Sequence, residues 1–187
     1  MTDLSINMTG ILVGDVDGSY STNLINTNDE PTGAVTITGT AAEDQVLTIV
    51  STLADADGLG ALSYQWKAGG TDISGATAST LTLGQSEVGK AITVGVSYTD
   101  GAGTAETVSS AATSAVTNVN DAPTITTSTS LSTDEDTATA AMAFSGTDVD
   151  GDSLTFSFSD PAKGTVTNND DGTFTYTPNA NVNGSDS

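Results

Sequence analysis

Short apolar runs with a period of two dominate this chain, set apart by clusters of Gly, Asp and Asn. Val35 and Ile37 alternate with threonine, and Val46-Leu-Thr-Ile-Val50 follows as a fuller apolar run. Leu62, Tyr64 and Trp66 take every second position, as do Leu81 and Leu83 and then Ile92, Val94, Val96 and Tyr98. A last run extends from near Thr104 to Val116. Side chains two apart share one face of a strand, so each run predicts a strand with one buried face. Trp66 shares its face with Leu62 and Tyr64 and is expected in the core, not as a stacking platform for a sugar. Gly and Asp punctuate the runs at 55–60, 69–75, 84–89 and 100–103, where they supply turns. Seven or so short strands in about 90 residues predict an all-β sandwich of the immunoglobulin type.

Acidic landmarks recur. Asn28-Asp-Glu-Pro-Thr32 returns as Asn120-Asp-Ala-Pro-Thr124 at an offset of 92, and Glu43-Asp44 as Glu135-Asp136 at the same offset. Asp55-Ala-Asp57-Gly58 returns as Asp148-Val-Asp150-Gly151 at an offset of 93. A common order at nearly one spacing marks a tandem array. The expected organisation is a lead or the tail of a preceding repeat over 1–25, a linker at 26–31, a sandwich at 32–117, a linker at 118–123 and a second sandwich at 124–187. Asp15-Val-Asp17-Gly18 falls in the lead, and Met1 need not be a natural start.

The first unit carries Leu62-Ser-Tyr-Gln-Trp66, Gly69-Gly70, Ile73-Ser-Gly75, Thr80-Leu-Thr-Leu83, Val88-Gly-Lys90 and Val96-Ser-Tyr98-Thr-Asp100-Gly101. With these, residues 32–118 resemble the bacterial Ig-like repeats of large surface proteins and repeats-in-toxin adhesins. That resemblance implies that Trp66 is the core tryptophan of the third strand and that Tyr98 lies on the strand facing it. The second unit carries Asp134-Glu-Asp-Thr137, Phe144, the stretch Asp148 to Phe156, Gly164-Thr-Val166, Asp171-Gly-Thr-Phe174-Thr-Tyr176-Thr-Pro178 and Asn183-Gly184. It resembles the cadherin-like repeats of the same giant proteins, which continue with a further aromatic-rich strand. The unit is therefore expected to be incomplete at its C-terminus, with lowered stability and an edge open to pairing.

Composition narrows the chemistry. There are 24 acidic residues against three lysines, no His and no Cys, for a formal charge of −21. Imidazole bases, thiolate nucleophiles, Ser-His triads and ordinary zinc, haem or iron–sulfur sites are excluded. Polyanionic partners are disfavoured, because Lys67, Lys90 and Lys163 cannot offset the phosphates of nucleic acid or a membrane surface. Neither a spanning apolar run nor a secretory signal is visible, so export would use an address elsewhere. Nineteen of the acids are Asp, the residue of turns and hard-cation sites, and only five are Glu, the better helix former. A chain without disulfides needs another source of rigidity, and calcium would supply it.

Strand direction says where the acids gather. In an antiparallel sandwich successive loops alternate between the two ends. Asp55 and Asp57, Asp100 and the incoming linker Asn26-Thr-Asn28-Asp29 are thus expected at the top of the first unit. Glu43, Asp44 and Glu87 are expected at its bottom, beside the outgoing linker Asn118-Val-Asn120-Asp121, with Asp148 and Asp150 at the top of the second unit. Calcium takes 6–8 oxygens at roughly 2.3–2.6 Å, which such groupings offer. The linkers also resemble the calcium-binding linkers between cadherin domains. That resemblance implies ligands at Glu43, Glu87 and Asp148/Asp150, with Asn in place of the frequent first Asp lowering the charge per site.

Other uses of the acids are weaker. Asp-x-Asp-Gly is also an ordinary solvated turn. An EF-hand is excluded, since Gly is fourth and position twelve is Asn26, Trp66 or Ser159. Asn168-Asn-Asp-Asp-Gly172 reads as a hairpin turn, and nothing marks Asp134 and Asp136 as a catalytic pair. The chain is therefore expected to be a monomeric, non-enzymatic, calcium-stiffened extender of an extracellular or surface-bound bacterial adhesin. It would act in adhesion or biofilm formation, with neighbouring repeats as partners, surface glycans or proteins bound through other domains, and no nucleic acid or membrane insertion. The alternatives are a carbohydrate- or protein-binding module with calcium-ordered loops and an accessory region of a secreted enzyme.

Overall fold

The computed structural model describes residues 27–126 and 130–186. Expectations for 1–25 and for Asn26 lie outside the described residues. The chain folds as two compact units that part between Thr117 and Asn118.

In the first unit, β1 (Val35–Thr38), β2 (Val46–Ser51) and β5 (Thr80–Thr82) form one sheet in the order β1-β2-β5. Opposite it, β3 (Ser63–Ala68), β4 (Thr71–Asp72), β6 (Ile92–Thr99) and β7 (Ala105–Ser109) run in the order β4-β3-β6-β7. Within each sheet these strands pair antiparallel. The period-two runs become the inner faces: Leu47, Trp66, Leu83, Ile92, Val94 and Val96 are almost fully buried between the sheets. The Trp66 indole N–H donates to the Ala78 carbonyl at 2.9 Å, so burial leaves no orphaned donor.

Two sequence expectations change. Tyr98 does not lie across the sandwich from Trp66, because β6 pairs directly with β3 in one sheet, with Trp66 opposite Val94 and Tyr98 opposite Glu106 on β7. The last strand is shorter than its apolar pattern. After Ser109 the side-chain hydroxyls of Ser110 and Thr113 accept from the N–H groups of Val94 and Ile92, each at 3.0 Å, in place of a regular ladder. Pairing returns only as single bridges at Ala115, Val116 and Thr117.

The second unit is also all β. β8 (Thr124–Ile125) pairs with β10 (Gly146–Thr147), and β11 (Gly164–Asn168), β12 (Thr173–Pro178) and β9 (Met142–Ala143) make a second small sheet. Residues 168–172 form the β11–β12 hairpin turn, with Asp170 at φ 59° and Gly172 at φ 86°. Leu154, Phe156 and Phe158 alternate but pair in no ladder. The phenylalanines join a partly exposed aromatic cluster instead: Phe144 packs on Phe156 and Phe158 with centroids 4.6 and 5.3 Å apart, and Phe158 packs on Phe174 at 5.3 Å.

Candidate metal centre

The two Asp-x-Asp-Gly motifs fold into the same local device. Asp57 N–H donates to Asp55 Oδ1 at 2.8 Å and Gly58 N–H to the Asp55 carbonyl at 3.2 Å, with Gly58 at φ 103°. In the second unit Asp150 N–H donates to Asp148 Oδ1 at 2.9 Å and Gly151 N–H to the Asp148 carbonyl at 3.2 Å, with Gly151 at φ 80°. The preceding linker is tied on identically: Asp29 N–H reaches Asp57 Oδ2 and Asp121 N–H reaches Asp150 Oδ2, both at 2.7 Å. The turn that makes Asp-x-Asp-Gly a common loop is therefore what aims these carboxylates.

At the top of the first unit a third acid joins them. Asp100 sits in the turn between β6 and β7, and Gly101 N–H donates to the Gly58 carbonyl at 3.1 Å, drawing this turn against the loop that holds Asp55 and Asp57. A Cβ at position 101 would collide with the Asp57 carbonyl, so glycine permits the approach. Carboxylate oxygens of Asp55, Asp57 and Asp100 consequently lie within 4.8 Å of one another. Asp100 is 6% exposed; its Oδ1 accepts the Thr104 N–H at 2.7 Å, while Oδ2 is buried with no hydrogen-bond partner. A buried carboxylate oxygen without a donor needs a counterpart.

No lysine provides it. Lys67 pairs with Asp72 at 2.6 Å, Lys90 donates to the Ser86 carbonyl at 2.7 Å and Lys163 to the Asn183 carbonyl at 3.0 Å. A compact set of hard anionic oxygens, one of them unsatisfied and none neutralised by Lys or Arg, fits a hard divalent cation such as calcium. The Tyr98 phenol closes the inner side, donating to Asp55 Oδ2 at 2.6 Å. Burial, then that hydrogen bond, then the charges of Asp55, Glu106 and Asp100 push its pKa well above the ordinary phenol value.

The other candidates occupy their own places. Glu43 and Glu87 are both buried at the opposite end of the first unit. Glu43 N–H donates to the Thr117 carbonyl and Gly89 N–H to the Val116 carbonyl, each at 2.9 Å, so both acidic turns are stitched to the departing segment. Glu87 is held on a 3-10 turn (Gln85–Glu87), where its carboxylate accepts from Gly84 N–H at 3.1 Å and Ser86 Oγ at 2.8 Å. Asp44 is exposed in a left-handed turn, φ 61°. Asn118 and Asn120 are exposed, and Asn120 caps the Asp121 carbonyl at 2.9 Å. Asn28 donates its amide to Glu106 Oε1 at 2.9 Å.

Sequence reasoning missed Glu106. It is 8% exposed, faces inward and pairs with Tyr98. The signal was phase: Glu106, Val108 and Ser110 occupy alternate positions, which sets a glutamate on the inner face of the last strand.

A family model described as a bacterial Ig domain matches residues 120–187, less than half of the chain. The stretch whose motifs resemble cadherin-like repeats is thus the one that matches a bacterial Ig domain. No curated protein and no solved structure matches the chain.

Proposed function

We propose that this chain is an extender segment of a bacterial surface or secreted protein, a series of Ig-like sandwiches stiffened by calcium, the second of cadherin-like type. The observation that carries the reading is the partnerless, buried Asp100 Oδ2 within the Asp55, Asp57 and Asp100 cluster. Repetition of one Asp-x-Asp-Gly device, each tied to the aspartate of its preceding linker, supports a periodic role and not a single specialised site. The match to a bacterial Ig domain supports a structural, non-enzymatic module of a surface protein. Among the described residues no helix is long and apolar enough to cross a membrane. Strong negative charge would keep neighbouring stalks apart and leave unfilled sites compliant through repulsion.

In this reading calcium converts repelling acids into cross-linked ones at each repeat boundary. Asp55, Asp57 and Asp100 would hold an ion with Asn28 and Asp29 of the linker beside them; in the second unit Asp121, Asp148 and Asp150 would take another, and Glu43 and Glu87 would serve at the far end of the first unit. Extracellular modules bind calcium at about 10⁻⁴ to 10⁻³ M, a range suited to the cell exterior. The test is small-angle scattering and thermal melting of the 187-residue chain in calcium and in EDTA. Calcium is expected to raise the melting temperature and narrow the spread of dimensions. Asp121→Ala or Asp150→Ala should remove much of the effect, whereas Asp171→Ala, in the hairpin turn, should not. Identical melting and scattering with and without chelator would overturn the proposal.

A further inference from the structure

We infer that ion loading at the Asp55, Asp57 and Asp100 cluster is coupled to the docking of the segment that enters the first unit, residues 27–32, and that buried Glu106 transmits the coupling. The inference rests on the reading that this cluster holds a divalent cation.

The entering segment is fastened at three points. Asn28 Nδ2 donates to Glu106 Oε1 at 2.9 Å, Asp29 N–H donates to Asp57 Oδ2 at 2.7 Å, and Thr32 forms a two-way bridge with Ala54, at 2.8 and 3.0 Å. Only the last joins neutral backbone to neutral backbone. The other two end on carboxylates, one of which belongs to the cluster while the other stands on β7 opposite Tyr98, whose hydroxyl is bonded to Asp55. Glu106 is 8% exposed, so its charge acts through poorly screened surroundings on the acids beside Tyr98.

Without a cation, Glu106, Asp55, Asp57 and Asp100 repel one another, and the Asp29 carboxylate, brought in by its own N–H, adds to the repulsion. Docking the segment then adds a further negative charge to an already crowded end. A divalent cation reverses the sign: Asp29 is attracted, Asp57 Oδ2 and Glu106 are held in place, and the Asn28 and Asp29 hydrogen bonds tighten. Coupling of this kind is reciprocal, so weakening the segment's attachment must weaken the ion by the same factor. Asn28 is therefore expected to govern affinity although its side chain carries no charge. Its exposed position means that its loss leaves the core intact.

The experiment uses the full chain with terbium alone, its emission sensitised through the Tyr98 phenol, and with calcium in competition. Amide exchange over residues 27–32 is read in calcium and in EDTA. Calcium is expected to slow exchange at Asp29 and its neighbours. Asn28→Ala should weaken terbium and calcium binding at this site by about fivefold or more and erase the calcium-dependent protection. Glu106→Gln, which keeps an acceptor for Asn28 but removes the charge, should retain segment docking in EDTA and lose most of its gain on adding calcium. Intact Trp66 fluorescence would show both variants folded. Terbium and calcium binding with parental affinity in Asn28→Ala, together with exchange at 27–32 that ignores calcium, would overturn the coupling and leave the cation site standing. Failure of the parent chain to bind either ion would overturn both.

Discussion

Replacing Asp100 by Asn separates a metal ligand from a mere turn acceptor, because the two roles predict opposite signs without cation. The Asn carbonyl can keep the Thr104 N–H now held by Asp100 Oδ1 at 2.7 Å, and the new amide can donate toward the neighbouring carboxylates. Removed is one buried charge with two like charges whose oxygens lie within 4.8 Å. Each such pair repels by about 1 kcal/mol at the dielectric of water and about 3.5 kcal/mol at an effective dielectric near 20. After relaxation a net gain of about 1–2 kcal/mol in EDTA is expected for the variant, or about 4–16 °C in melting temperature for a domain of this size. In calcium at about 10 to 100 times the dissociation constant, the parent gains about 1.4–2.7 kcal/mol from this site and the variant little. The gap should therefore close, and reverse at the tighter end of that range. Trp66 is the sole tryptophan and lies in the core of the first unit, so its fluorescence during melting reports that unit alone. An Asp100→Asn variant that melts lower than the parent by the same amount in EDTA and in calcium would refute the site.

Alkaline pH supplies a second test. The folded Tyr98 phenol has a raised pKa, so the unfolded chain loses its proton first; stability should hold through neutral pH and fall once the pH passes the ordinary phenol value of about 10. Urea midpoints read by Trp66 fluorescence should show this limb in the parent and lack it in Tyr98→Phe, and added calcium, which favours the phenolate in the folded state, should shrink the limb while its onset stays where the unfolded phenol sets it. Leu47→Ala, at a fully buried position, should cost about 2–5 kcal/mol by the same readout. Gly101→Ala should reduce terbium affinity more than it reduces stability, since its Cβ would push the Asp57 carbonyl away and part the two loops that form the cluster.

Strand phase was the most legible feature, for a physical reason: a period of two fixes which side chains face the core, and Trp66, Ile92, Val94 and Val96 are buried as alternation requires. Loop ends were legible from strand direction, since antiparallel connection alone places Asp55, Asp57 and Asp100 at one end. Three features were not. Apolar periodicity ran past the true end of β7 because it cannot register that the Ser110 and Thr113 hydroxyls substitute for ladder carbonyls. Which strands are neighbours in a sheet is a question of topology, so Tyr98 was placed across from Trp66 and not beside it. Glu106 was overlooked because an acid on a strand suggests the solvent face, although its phase with Val108 and Ser110 points inward. Turn and ligand are also rival interpretations of Asp-x-Asp-Gly only on paper. The aspartate that closes the turn through one carboxylate oxygen has its other oxygen aimed by the same bond, so turn formation preorganises the donor set. What distinguishes the first unit's copy from a plain turn is therefore not the motif but its surroundings: a third acid brought in by Gly101, one oxygen of that acid left buried without a donor, and every lysine engaged elsewhere.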